Sequence, residues 1–198
     1  MAARGHALVC LVTLAGLLAG CGTDRVSPGP MSVPLEHGWL DEAEPGSLFV
    51  STGEDLRGPT GTIPGWTITE IDASFLDEAV GVRWVGVALA APGRGVFGTL
   101  PAWPVSEGVM DEHGYLSFHE VGGSQSFTAV DPALKVEVVV VYEVPEESGR
   151  WIRDDMTITY EVDGQLHRTV FPARGLLCVE VPECDWTSED DDTARRQD

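Results

Sequence analysis

The tightest constraint in this sequence is an alternation that runs into a two-residue turn. Met156, Ile158, Tyr160 and Val162 alternate with Thr157, Thr159, Glu161 and Asp163, and Asp163-Gly164 follows directly. Side chains in a strand point to opposite faces with a period of two, so one face of this segment is apolar and the other polar. Asp-Gly supplies the positive φ angles that a two-residue hairpin turn needs. The turn then fixes the register: Val162 faces Gln165, Tyr160 faces His167, Ile158 faces Thr169 and Met156 faces Phe171. A slip of one residue would send every apolar side chain to the wrong face.

Leu134 to Val144 obeys the same period with a difference. Its even positions are Leu134, Val136, Val138, Val140, Tyr142 and Val144; the odd ones begin and end polar at Lys135, Glu137 and Glu143, but Val139 and Val141 are apolar. That predicts a central strand buried on both faces at its middle. Further strands are expected at Ser47–Ser51, Trp66–Ala73, Val80–Ala91, Val96–Leu100, Tyr115–His119, Gln125–Val130 and Gly175–Val181. The single helix expected is short, Ser74–Val80, with Ser74 and Asp77 spaced like a capping box and Gly81 as a stop. Pro92-Gly93, Gly122-Gly123 and Asp131-Pro132 punctuate the intervals. Many short strands between frequent turns predict an all-β, antiparallel sandwich of immunoglobulin-like topology, with a β-barrel as the alternative.

The N-terminus follows different rules. Arg4 precedes the apolar run Ala7 to Leu18, which is shorter than the roughly 20 residues of a membrane span. Leu18-Ala19-Gly20-Cys21 resembles the lipobox of bacterial lipoproteins. The resemblance implies a signal peptide over residues 1–20, cleavage before Cys21, and lipid on the Cys21 thiol. Anchoring would then come from acyl chains, each buried CH₂ contributing about 0.8 kcal/mol, and the membrane would be a partner through that anchor, with the domain on the extracytoplasmic side. Residues 21–45, with Pro28, Pro30, Pro34 and Pro45, are expected to be a flexible spacer. Residues 46–187 would form the sandwich domain, and residues 188–198, with the run Glu189–Asp192, a disordered acidic tail.

Charge excludes one class of partner. The formal net charge is −20, and loss of residues 1–20 removes Arg4 and no acidic group. A chain this acidic repels a phosphate backbone, so nucleic acid is not an expected partner. Lys135 is the only lysine; this arginine-rich usage, with abundant alanine, glycine and valine, resembles that of high-G+C, actinobacterial-like lipoproteins. Once Cys10 leaves with the leader and Cys21 is lipidated, Cys178 and Cys184 remain, and in an oxidising compartment an even pair predicts a disulfide.

No pattern of catalytic residues emerges. Gly93-Arg94-Gly95-Val96-Phe97-Gly98 spells a dinucleotide fingerprint, but Pro101 and Pro104 forbid the helix that would present its amides to a pyrophosphate. A G-x-S-x-G nucleophile elbow does not occur, and the carboxylate pairs Glu146-Glu147 and Asp154-Asp155 suit a solvated loop around Gly149. Two candidate sites remain beside a plain binding surface. Met110, His113 and His119 offer soft thioether and imidazole ligands for copper or zinc. Trp103 and Trp151 lie where exposed rings would stack on a carbohydrate. The expectation is a non-enzymatic, membrane-anchored binding module that uses no cofactor and engages an envelope protein or cell-wall component.

Overall fold

The computed structural model describes residues 29–32, 37–93 and 98–187. In chain order the elements are β1 (His37–Glu42), β2 (Leu48–Asp55), β3 (Thr67–Asp72), β4 (Gly81–Ala90) and β5 (Thr99–Leu100). Helix α1 (Glu107–His113) follows, then β6 (Tyr115–Glu120), β7 (Phe127–Thr128) and β8 (Lys135–Glu143). The last four are β9 (Gly149–Arg153), β10 (Met156–Val162), β11 (Gln165–Phe171) and β12 (Ala173–Val179).

The Asp163-Gly164 turn closes the expected hairpin. Its two residues have φ of 53° and 74°, and β10 pairs β11 in the register read from the sequence, from Val162–Gln165 to Met156–Phe171. The central strand is equally faithful. β8 lies in the middle of the sheet β5-β2-β8-β4-β6 and is buried from Val136 to Tyr142.

The five-stranded sheet forms one layer of an open sandwich, and among the described residues no sheet closes into a barrel. Opposite it lie β11-β10-β3-β7 and β1-β12-β9. These two smaller sheets are parts of one bent layer, because β9 leads into β10 and β11 into β12. Pro172 has no N–H to give a ladder, and it falls at the bend between β11 and β12. The core between layers is drawn from all three sheets, with Tyr142 and Val138 from one side and Ile68, Ile158 and Leu177 from the other. β1 runs parallel to β12, from His37–Ala173 to Glu42–Cys178, whereas the other strand pairings among the described residues are antiparallel. Trp39 lies so close over Gly175 that a β-carbon there would strike its ring.

A second apolar cluster explains why β8 is buried on both faces. Val50, Ala88, Tyr115, Val139 and Val141 form an outer patch on the five-stranded sheet, and Val109 and Met110 of α1 cover it with Trp84, Trp103 and Phe118. Glu137, read from the sequence as a polar end of the strand, is buried in this outer layer and accepts a hydrogen bond from Tyr115 Oη at 3.2 Å. Trp84, which belongs to an apolar strand, sits half-buried on this outer side rather than in the main core.

Several expectations are corrected. Ser74–Val80 is not a helix: Asp72 Oδ1 accepts from Ser74, Asp77 Oδ1 accepts from the Ala79 amide, and Leu76 N donates to Ile152 O. Asx-type bonds and a neighbouring strand win over the capping-box spacing. The helix lies instead at Glu107–His113, capped by Ser106 and ended by Gly114 at φ 69°. Gly149–Arg153, expected as a solvated loop, is a strand with Trp151 and Arg153 buried. The strand expected at Gln125–Val130 shrinks to Phe127–Thr128. Residues 21–45 are not wholly spacer, because Met31 is buried and β1 pairs with β12. Residues 1–20, expected as a leader, Cys21 and residues 188–198 lie outside the described residues, as do 96–97 of the strand expected at Val96–Leu100.

Candidate binding cleft

Four inner-face residues make one line across the four-stranded sheet: His167 on β11, Tyr160 on β10, Ile68 on β3 and Phe127 on β7. At the Phe127 end the sheet stops, since β7 has two residues. In the facing layer the last strand is β6, whose His119 ring stands 4.9 Å from the Phe127 ring. Ser117 Oγ lies 2.8 Å from His119 Nε2 and fixes the ring's tilt. The sandwich opens between these edges into a cleft of about 370 Å³ lined by Leu89, His119, Phe127, Ala129, Leu134 and Val136, with Val130 and Asp131 at its rim. Val130 is 79% exposed, so its side chain is presented to the solvent rather than packed.

A smaller hollow of about 200 Å³ shares Leu134 and Val136 with the cleft and carries Asp55, Arg57 and Lys135. Asp55 Oδ2 holds both cations, Arg57 Nη2 at 2.5 Å and Lys135 Nζ at 3.2 Å. The combined surface is mostly apolar, with few polar groups near one end, which is the usual chemistry of a recognition pocket.

The other polar cluster is buried. Arg153, fully enclosed, donates from Nη2 to Glu54 Oε1 at 2.9 Å and to the Ala173 carbonyl at 2.5 Å, and from Nη1 to Tyr142 Oη at 3.2 Å. Tyr142 Oη donates to the Ala73 carbonyl at 2.8 Å, and the guanidinium lies 5.3 Å from the Trp39 ring centre. Burial by itself would lower the Arg153 pKa, but Tyr142 and Glu54 outweigh it and hold it above the ordinary arginine value. Burial pushes the Tyr142 hydroxyl up, against the opposing pull of Arg153. With Tyr142 neutral at pH 7, Glu54 is the charge that balances the guanidinium. These residues come from β1, β2, β8, β9, β12 and the end of β3, so the cluster ties all three sheets together and is enclosed away from any ligand.

The residues proposed from sequence are dispersed. Cys178 and Cys184 form a disulfide with Cα atoms 5.9 Å apart. Met110 packs on the outer patch, whereas His119 points to the inner face against Phe127, and His113 sits in the last turn of α1. Those three do not converge, and among the described residues no group of three His, Cys, Asp or Glu is arranged to hold a metal ion. A bulge in the β4–β6 pairing at Leu89/Ala90 helps put Tyr115 and His119 on opposite faces. Trp151 is buried in the main core and is not available for stacking. Trp103 is half-buried, with Trp84 at 4.5 Å and Phe118 edge-on at 5.6 Å. Sequence reasoning missed Phe127, Val130 and Leu134 as a site, because three scattered apolar residues carry no motif; the short, Gly-flanked segment before Pro132 was the one available sign.

Taken together, the described residues define an all-β sandwich with an apolar cleft at one open side. No family model matches the sequence, and no curated protein matches it significantly. Among solved structures, the ASH/PapD-like domain of human CEP192 (PapD-like domain 7) is similar with a TM-score of 0.36 and 9% identity, over 88% of this chain and 100% of that one. So distant a likeness carries no weight for function.

Proposed function

We propose that this chain is a membrane-tethered, extracytoplasmic binding module, non-enzymatic, whose cleft between β6 and β7 receives an apolar element of an envelope protein. The observation that carries the reading is the cleft of about 370 Å³ at the open side of the sandwich, with the 79% exposed Val130 on its rim. A solvent-facing valine beside an apolar hollow is the kind of surface a partner covers. The Cys178–Cys184 disulfide suits an oxidising compartment, and Leu18-Ala19-Gly20-Cys21 supplies the anchor.

The test is a photo-crosslinking side chain placed at Val130 in the native host. It should give one discrete protein adduct, lost on Phe127→Asp, while a crosslinker at the exposed Glu180, just after β12, gives none. Absence of an adduct at Val130, or adducts insensitive to Phe127→Asp, overturns the binding reading. The anchor is tested separately, by mass spectrometry of Cys21 in protein purified from that host: an unmodified thiol overturns it.

A further inference from the structure

The chain meets the domain at one edge of the four-stranded sheet, and the cleft opens at the other. Gly29, at φ 69°, packs against Tyr160 Oη and the His167 ring so closely that a β-carbon would collide with both. Met31 N donates to Tyr160 Oη at 3.0 Å, and Ser32 forms an antiparallel bridge with Arg57. The folded domain therefore begins by residue 29, eight residue steps from Cys21. Eight steps reach at most about 29 Å even when fully extended. A domain of this size is about 40 Å across, so a lipid at Cys21 cannot leave the whole molecule free to turn over.

The strand at that edge is β11. Its inward side chains include His167 and Thr169; its outward ones are Leu166, Arg168 and Val170. Leu166 and Val170 are each 51% exposed, with the exposed Arg168 between them. Glu161 stands beside Leu166 on β10, and Thr159 and Thr157 flank Arg168 and Val170, so the apolar strip is confined to the edge strand. Two aliphatic side chains flanking an arginine suit a lipid interface: the aliphatic groups enter the acyl boundary while the guanidinium meets phosphate oxygens. This strip is set on a chain whose net charge of −20 otherwise repels anionic surfaces.

We infer that the anchored domain rests on the bilayer surface by the outer face of β11, the strand farthest from β7 in its sheet, so that the cleft at β7 stays clear of the membrane. This rests on the reading of Cys21 as the lipidated residue. β7 lies three strands from β11 in the sheet order, about 14 Å at ordinary strand spacing. The short tether thus both holds the module and aims it.

The experiment uses the mature chain from Cys21 with a diacyl lipid coupled chemically to that thiol, so it does not depend on processing by the host. Hydrogen exchange is followed by mass spectrometry on phosphatidylcholine vesicles and on the same chain without lipid. Amides of residues 163–171 should exchange several-fold more slowly on vesicles, with residues 126–131 unchanged. The double variant Leu166→Glu/Val170→Glu, at two exposed positions, should remain folded and bound through its lipid yet lose that protection. Equal exchange of 163–171 in both forms, protection of 126–131 instead, or protection that survives the double substitution would each overturn the inference. An unmodified Cys21 in the native host would fail the anchor reading without touching this geometry.

Discussion

Replacing Glu54 with leucine would leave Arg153 as a buried cation without its counter-charge. Arg153 has no solvent exposure and Glu54 has 4%, so neither charge can be screened by turning outward. Removing one member of such a pair costs about 3–5 kcal/mol, whereas replacing both with apolar groups of similar volume is often near neutral. Glu54→Leu and Arg153→Met should therefore each cost about 3–5 kcal/mol, and the double variant less than either alone. Two further contacts are lost with the guanidinium, at Ala173 and Tyr142, which puts Arg153→Met toward the upper end. Urea unfolding followed by tryptophan fluorescence is the assay. With a slope of about 2 kcal/mol per molar urea, each single variant should lower the midpoint by about 2 M. Singles that cost under about 1 kcal/mol, or a double equal to their sum, would refute the claim that the cluster is coupled and charge-balanced.

Three more outcomes are expected. Tyr142→Phe loses the bond to Ala73 and should cost about 1–3 kcal/mol at neutral pH. In the native chain the folded Tyr142 holds its proton above the ordinary tyrosine value of 10, while the unfolded chain releases it there. Stability from this group is therefore complete below pH 10 and falls as pH rises beyond it; denaturant titrations should show that fall flattened in Tyr142→Phe. Cys178→Ser with Cys184→Ser should lower stability by about 2 kcal/mol, the loop-closure value for so short a ring, and thermal unfolding with and without reductant checks it. Trp103→Ala should cost about 1–3 kcal/mol through lost contact with Trp84 and Phe118, measured by urea unfolding; no measurable loss would mean that the outer patch does not depend on it.

Local chemistry alone determined the β10–β11 hairpin, its register and the double burial of β8, because a turn type and a period of two are properties of adjacent residues. The pairing of Cys178 with Cys184 was legible by elimination, since the expected leader and anchor account for Cys10 and Cys21 and leave one pair. Tertiary structure decided everything that depends on which strand lies beside which. Gly149–Arg153 reads as loop by composition, but partners on β12 make it a strand and draw Arg153 into the core. Ser74–Val80 carries helix spacing and yields to bonds with its neighbours, while Ser106 caps a helix over an outer patch that exists only once β8 is flanked by β2 and β4. The cleft is the clearest case. Leu89, His119, Phe127 and Val136 belong to four strands in two layers, and nothing within reach of any one of them in sequence places the others beside it.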